Sequence, residues 1–185
     1  MSETAEERSK RVFLGHLLNH EWTHQITVFY NPEVLLCDLE VDEDEFFNTG
    51  KRIRERCRRK FPGVPSLWRI QAYHYHWFAE GIKVTMPYWT AYVCGDKAEV
   101  RAMVSLLKKE ALESVQSIKS TTIDRTKVQS AANAIKRQKS HDFKTLFPIT
   151  GKINRFHLIN EKSLVPCSKL TTGDEQCSKP RFIEF

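Results

Sequence analysis

The spacing of hydrophobic residues changes along the N-terminal part of the chain. Over residues 5–20 the apolar positions recur with the period of a helix. They are Val12, Phe13, Leu17 and Leu18. Residues 23–30 instead alternate and are rich in β-branched and aromatic side chains, which is typical of a strand. Asn31 and Pro32 end that strand, and residues 34–41 predict a second extended segment.

A helix is predicted from Asp42 to about Lys60. Asp42 is a good N-cap residue, and Glu45 lies at the position that completes a capping box. The acidic first turn and the basic last turn both suit the helix dipole. Gly50 lowers the predicted stability of this helix. The residues expected to face inward are Phe46, Ile53 and Cys57.

The central part of the chain predicts further strands and a second helix. Residues 66–78 predict a long aromatic-rich strand, and residues 82–86 and 88–94 predict two shorter ones. Asp96 begins a helix whose apolar stripe extends to Ile118. The order β-β-α-β-β-β-α predicts an α+β fold, with an antiparallel or mixed sheet and helices packed on one face.

The character of the sequence changes after residue 120, which divides the chain into segments. Residues 1–120 form the expected α+β core domain. Residues 121–162 predict an extension with a basic helix, begun by Asp124, and strand sequence after it. Residues 163–185 predict a polar, irregular tail that is loosely ordered.

Basic residues are concentrated on the two predicted helices that begin at Asp42 and Asp124. The formal net charge is +6 and the pI is about 9.1, which favours a polyanionic partner. In the denser cluster only Glu55 offers local neutralisation. This cluster comprises Lys51, Arg52, Arg54, Arg56, Arg58, Arg59 and Lys60. The second cluster comprises Lys127, Lys136, Arg137 and Lys139.

Both basic clusters predict contacts with the phosphates of single-stranded DNA or RNA. Arginine forks and lysine charges suit such contacts, because binding them releases counterions. Tyrosine or tryptophan side chains from the strands can stack on unpaired bases. An acidic protein partner and a merely solvated charged surface are the alternatives.

The cysteines and the chain start predict a cytoplasmic protein, or one of the host cytoplasm or nucleus if it is viral. Cys37, Cys57, Cys94, Cys167 and Cys177 contain no CxxC pair, so no zinc finger is indicated. The N-terminus is acidic rather than apolar, unlike a signal peptide. No apolar run reaches the ~20 residues of a membrane span. We expect free thiols and no membrane partner.

The sequence His74-Tyr75-His76 predicts a metal site on a strand. Residues two apart in a strand share a face, so His74 and His76 point the same way, and Glu80 has the same parity. Two imidazoles and a carboxylate can hold Mg²⁺ or Mn²⁺. Such a cation polarises a phosphate and stabilises the leaving oxygen.

This arrangement resembles the HUH endonucleases, which nick single-stranded DNA in rolling-circle replication. The resemblance covers about residues 23–95: a strand, a basic helix, a Trp-bearing strand and the His-x-His element. It implies that His74 and His76 are metal ligands and that Glu80 or Glu40 is a third. It also implies a tyrosine nucleophile. No tyrosine follows Tyr92, so the candidates are Tyr88 and Tyr92.

A competing metal motif lies at the end of the first predicted helix. His20-Glu21-Trp22-Thr23-His24 matches H-E-x-x-H, which on a helix brings two histidines together around zinc with the glutamate as general base. The motif resembles zincin metallopeptidases. His16 would extend the same face, and Asp44 or Glu45 would be a third ligand.

Three functions remain open on the sequence alone. The first is nucleic-acid binding with metal-dependent nicking at His74 and His76, and the second is a zinc peptidase. The third is a binding protein without catalysis. Residues 127–129, 150–152 and 155–159 also show a short likeness to CRISPR repeat-processing endoribonucleases, which use a basic helix in the RNA groove and need no metal. This likeness supports nucleic-acid binding more than any catalytic assignment.

Overall fold

The computed structural model describes residues 4–37, 40–77, 82–109, 114–137 and 156–164. The helices are α1 (Ala5–Asn19), α2 (Pro32–Leu35), α3 (Glu43–Lys60), α4 (Lys97–Lys109) and α5 (Arg125–Arg137), with a short 3₁₀ turn at Glu161–Ser163. The strands are β1 (His24–Tyr30), β2 (Leu36–Cys37), β3 (Glu40–Val41), β4 (Ser66–Trp77), β5 (Ile82–Val93), β6 (Val115–Thr122) and β7 (Phe156–Ile159).

Five strands form one sheet in the order β6-β1-β5-β4-β7. Every neighbouring pair is antiparallel, which confirms the predicted α+β class. The strands β4 and β5 pair without a register shift from Ser66↔Val93 to Trp77↔Ile82. The strands β2 and β3 form a separate two-stranded ribbon.

Helices cover both faces of the sheet, whereas the sequence predicted helices on one face. On one face Trp68 and Trp89 pack in a cluster with buried residues of α3 and α4. On the other face Leu67 and Tyr92 pack in a cluster with α1 and α5. The prediction differed because all side chains from Ser66 to Ile70 are buried, so this part of β4 shows no polar-apolar alternation.

The part of the chain beyond residue 120 shares these clusters with the rest. The helix α5 contributes Val128, Ala132 and Ile135 to the same cluster as Phe13 of α1. The strand β7 pairs with β4 in the main sheet. The predicted tail beyond residue 164 lies outside the described residues.

The helix α3 begins and ends where the sequence predicted. The carboxylate of Asp42 accepts a hydrogen bond from the backbone N–H of Glu45 at 2.9 Å. Phe46 and Cys57 are fully buried and Ile53 is packed against the same cluster, as expected. Gly50 is required by the tertiary structure, because a Cβ there would overlap the indole ring of Trp89 at Nε1.

Two predicted segments have a different structure. Residues 34–41 were expected to be extended, but Asn31 caps the short helix α2 by accepting from the N–H of Glu33 at 3.1 Å, and only the β2–β3 ribbon is extended. The helix expected to reach Ile118 ends at Lys109 as α4. Residues 115–122 instead form β6, because β1 offers an open edge and this segment is rich in β-branched residues.

The two short strands expected at residues 82–94 are one strand, β5, with Pro87 inside it. The strand β1 pairs with β5 only from Tyr88 onward. Pro87 therefore lies just outside the part of β5 that pairs with β1. Proline is tolerated at such edge positions, because it has no N–H to donate to a neighbouring strand.

Two of the expected free thiols are seen directly. Cys57 and Cys94 are free, whereas the side chain of Cys37 and residues Cys167 and Cys177 lie outside the described part. Burial raises the pKa of the Cys94 thiol, and the neighbouring carboxylates of Glu21 and Glu99 raise it further. No described helix is long and apolar enough to cross a membrane.

We expect Gly50→Ala to lower the free energy of unfolding by about 1–3 kcal/mol, because the added methyl overlaps the Trp89 ring. Gly15→Ala is the matched control, since Gly15 is also helical and nothing lies within 4 Å of its Cβ position. That change should stabilise the protein by up to about 1 kcal/mol through helix propensity. Urea denaturation measures both, and stabilisation by both substitutions would contradict the close approach of α3 to Trp89.

Candidate nucleic-acid interface

The two histidines of the predicted metal site lie on an extension of the main sheet. Residues 72–77 of β4 pair only with β5 among the described strands. His74 lies opposite Thr85, and His76 lies opposite Lys83. Because the two histidines are two residues apart in one strand, they belong to the same face of the sheet. The ring of His74 is exposed, with Nδ1 3.3 Å from the hydroxyl of Thr85.

The rest of the predicted metal site is not assembled in the described part of the chain. Glu80 lies outside the described residues. No group of three or more His, Cys, Asp or Glu side chains within the described ranges is arranged to hold a metal ion. Lys83 is directly opposite His76, and a positive charge there disfavours a divalent cation.

The candidate nucleophiles project from the opposite face of β4–β5. Tyr88 pairs with Gln71, and Tyr92 pairs with Leu67. Both partners are an odd number of residues from His74 in β4, so the two tyrosines belong to the face opposite to that of His74. Tyr92 is buried against Phe13 of α1, with ring centroids 6.4 Å apart. Burial raises the pKa of both tyrosines, although Arg69 acts in the other direction. The fold therefore does not bring either tyrosine together with the histidines.

The H-E-x-x-H motif is split between a helix end and a strand. The helix α1 ends at Asn19, His20 has an extended backbone, and His24 begins β1. Nδ1 of His20 lies 3.0 Å from the carbonyl of His16, and the rings of these two residues stack at 5.4 Å. The continuous helix that places both motif histidines on one zinc is therefore absent.

The histidines of this motif line a cleft of about 350 Å³ beside the first turn of α5. Asp124, Arg125 and Gln129 also line this cleft. The ring of His24 is held by its own neighbour, with Nδ1 2.9 Å from the hydroxyl of Thr23.

The solvent-exposed side of α3 is densely basic, and it is called the basic flank of α3 below. We use this name for its exposed cations, which are Lys51, Arg52, Arg56, Arg58, Arg59 and Lys60. Arg59 pairs with Glu55 at 3.7 Å, and both side chains are solvent-accessible. Lys51, Arg52, Arg58 and Lys60 form no ion pair with any carboxylate of the described residues. Their charges are therefore available to a partner.

Arg54 was predicted to contact phosphate, but the structure packs it against the sheet. Its guanidinium carbon lies 4.3 Å from the ring centroid of Trp89, and its Nη1 atom is buried without a hydrogen-bond partner. Burial lowers the pKa of Arg54 to about 10, while Tyr30 and Glu55 act in the opposite direction. Arg54 thus belongs to the contact between α3 and the sheet rather than to the basic flank.

The two predicted basic helices lie on opposite faces of the sheet. The helix α3 packs against the cluster that contains Trp68, and α5 packs against the cluster that contains Leu67. Lys136 and Arg137 at the end of α5 are exposed, while Lys139 lies outside the described residues. A single short strand of nucleic acid cannot contact both helices without passing around the sheet edge.

Sequence reasoning missed two further basic features. The helix α4 packs on the α3 side and has only one acidic residue, Glu99. Its cations are Lys97, Arg101, Lys108 and Lys109. Arg69 and Lys119 lie on the other face, in one cross-strand row. The excess of cations over carboxylates in α4 could have been counted from the sequence. The alignment of Arg69 with Lys119 depends on the order of the strands in the sheet, which the sequence does not give.

Comparison with known proteins does not assign the chain to a family. No protein-family model matches it, and no curated protein matches its sequence. The inference of function therefore depends on the placement of the residues described above.

We expect Arg54→Ala and Arg52→Ala to separate a packing role from a surface role. Loss of the Arg54 contact with Trp89 should lower the free energy of unfolding by about 1–2 kcal/mol. Arg52 is exposed, so its removal should change stability by less than about 0.5 kcal/mol. Thermal and urea unfolding test this, and equal effects of the two substitutions would contradict the assignment of Arg54 to the interior.

Proposed function

We propose that this protein binds single-stranded nucleic acid through the basic flank of α3. The observation that carries the proposal is that Lys51, Arg52, Arg58 and Lys60 are exposed and form no ion pair with described carboxylates. Lysine and arginine held in this way can neutralise phosphates and release the counterions condensed on them.

The helix dipole does not by itself account for this charge distribution. Cations in the last turn, such as Arg58 and Lys60, are stabilised by the negative end of the helix dipole. Lys51 and Arg52 lie in the middle of α3, where the dipole has little effect. Neither side chain forms an ion pair with a described carboxylate, so a polyanion would supply the negative charge that both lack.

The same layer of the protein adds positive charge around α3. The helix α4 packs on the same side of the sheet, and its four cations outnumber its single carboxylate. The N-terminus of α4 lies near the end of α3, since a Cβ at Gly95 would be 3.3 Å from Val64. A positive field that extends over both helices supports attraction of a flexible polyanion to this side.

We expect the quadruple substitution of Lys51, Arg52, Arg58 and Lys60 by Gln to weaken binding of a single-stranded oligonucleotide. Glutamine keeps the helix propensity while it removes the charge. If all four contact phosphate, the slope of log K against log salt should fall in magnitude by about 3. Fluorescence anisotropy of a labelled oligonucleotide at several salt concentrations measures the slope.

The matched control for the α3 substitutions is Gln at Lys97, Arg101, Lys108 and Lys109 of α4. It lowers the net charge of the protein by the same amount on a neighbouring helix. The proposal expects a smaller loss of affinity for this control. Equal losses would show that affinity depends on net charge alone, and an unchanged, salt-insensitive affinity of the α3 variant would refute the proposal.

Metal-dependent strand cleavage is a second candidate, favoured by the shared face of His74 and His76. In this hypothesis the two imidazoles hold Mg²⁺ or Mn²⁺ beside a phosphodiester. Neither Tyr88 nor Tyr92 would be the nucleophile, because both have the opposite parity. Water activated by the metal is then the attacking group.

We expect His74→Ala with His76→Ala to abolish any Mn²⁺-dependent cleavage while leaving most binding intact. A second variant, Lys83→Gln, tests the same site from the opposite direction. Removal of the positive charge opposite His76 should tighten Mn²⁺ binding. Cleavage of labelled DNA and RNA is measured over a Mn²⁺ titration. No cleavage of either substrate by the unaltered protein, with no effect of Mn²⁺ on its melting temperature, would leave a binding protein.

A further inference from the structure

The main sheet contains no acidic residue in its five strands as the structure describes them. Its cations are Arg69, Lys83 and Lys119. The helix α5, which packs on the Leu67 face of the sheet, also lacks acidic residues between Arg125 and Arg137. The strands of the main sheet and α5 therefore contain cations without carboxylates, whereas α1, which packs on the same face, contains Glu6 and Glu7.

A polar row crosses the Leu67 face of the sheet, next to the part covered by α1 and α5. Direct cross-strand pairing links Lys119 to Thr27, Thr27 to Thr90, and Thr90 to Arg69. Lys119 is exposed, Thr27 is half-buried, and Arg69 is only 4% exposed. The row thus has a cation at each end, one in solvent and one in the interior.

Aromatic rings lie beside this row: strand parity places Phe29 and Tyr88 on the same face, and Tyr73 contacts both while it also packs against the cluster on the α3 side. Phe29 and Tyr88 are paired across β1 and β5, and their rings stack with centroids 5.2 Å apart. Tyr73 contacts Phe29 at 5.7 Å and Tyr88 at 5.8 Å. All three side chains are half-buried, and Nζ of Lys119 lies 5.3 Å from the centroid of the Phe29 ring. We call these three rings the aromatic platform.

Arg69 is a buried cation that no described carboxylate balances. Its Nε atom has no hydrogen-bond partner, and its guanidinium carbon lies 6.0 Å from the centroid of Tyr92. Burial lowers its pKa, and only the hydroxyls of Tyr92 and Tyr88 act to raise it. A desolvated guanidinium without a counter-ion is destabilising, so an anion bound near it would be strongly favoured.

We infer that this face binds an unpaired segment of single-stranded nucleic acid, with bases stacked on the aromatic platform and phosphate drawn to Lys119 and Arg69. This inference rests on the proposed function and assigns it a second surface, opposite the basic flank of α3. Base stacking on aromatic rings tolerates any sequence, because every base has a π face. The absence of carboxylates from the strands of the main sheet and from α5 favours a polyanion over an ordinary protein surface.

The presence of aromatic rings beside the cations also indicates whether the bound nucleic acid is single-stranded or duplex. Bases in a duplex are stacked on one another and cannot lie on protein rings, whereas splayed single strands can. Duplex DNA can reach the basic flank of α3, but it cannot use the aromatic platform. The basic flank can therefore contact either a duplex or a single strand, whereas the aromatic platform can contact only a single strand.

The test measures affinity for labelled oligo(dT), oligo(U) and a DNA duplex of equal length. The variants are Phe29→Leu and Tyr88→Leu, which remove a ring but keep an apolar side chain, and Lys119→Gln, which changes an exposed residue. Phe47→Leu is the matched control, since Phe47 is also half-buried but packs on the α3 side. Melting temperatures are measured for every variant.

We expect each ring substitution to weaken binding to a single strand about tenfold. The affinity of these variants for the duplex and the affinity of the Phe47→Leu control for a single strand should be unchanged. The probe whose affinity falls more, oligo(dT) or oligo(U), distinguishes DNA from RNA. Lys119→Gln should weaken single-strand binding without a change in melting temperature, which keeps the test valid if a ring variant fails to fold.

Unaltered single-strand affinity in the ring variants and in Lys119→Gln, with loss only in the α3 variant, would overturn this inference and leave the proposed function intact. Failure of the unaltered protein to bind any of the three probes would overturn both. Arg69→Gln supplies an independent measurement. It should weaken single-strand binding with an unchanged or raised melting temperature, whereas a lowered melting temperature with unchanged affinity contradicts a role in binding.

Discussion

The continuous antiparallel pairing of β4 with β5 is the constraint on which the other features depend. It has no register shift over its full length, and β1 and β7 add to its two outer edges. Because the side-chain period of a strand is two residues, one register assigns every residue of both strands to a face. It places Trp68 and Trp89 under α3 and α4, and Leu67 and Tyr92 under α1 and α5. It also separates His74 from the tyrosines.

The contact between α3 and the sheet determines which cations face solvent. Phe46 stacks on Trp89 with nearly parallel rings, 5.5 Å apart, and Gly50 lets the helix backbone approach the same indole. Arg54 covers the other part of the ring. With these residues inward, the remaining cations of the helix must point outward. One close contact therefore gives α3 both its attachment and its charged surface.

The distribution of charge suits binding better than it suits stability. Cations are spread over α3, α4 and α5 on both sides of the sheet, while the described strands of the main sheet contain no carboxylate. Arg69 is buried and Arg54 is half-buried, and each has a buried N–H group without a hydrogen-bond partner, which costs folding free energy. A polyanionic ligand would offset part of that cost, and this gives a physical reason for such an arrangement to persist.

Local pattern was sufficient for elements whose signals lie within a few residues. The apolar stripe of α1, the Asp42 cap of α3 and the alternation of β1 all predicted the observed structure. The α+β class and the basic flank of α3 followed from the same local information. These features depend on helix capping, side-chain period and charge, which act between near neighbours in the chain.

Tertiary structure alone decided the features that depend on distant partners. Residues 115–122 became a strand because β1 offered an edge, and Arg54 turned inward because Trp89 lay beneath it. His20 and His24 were separated because β1 begins within their motif. The alignment of Lys119, Thr27, Thr90 and Arg69 joins four strands whose order no local pattern specifies. Sequence determined which side chains were available, and hydrogen-bonded strand pairing determined which of them share a surface.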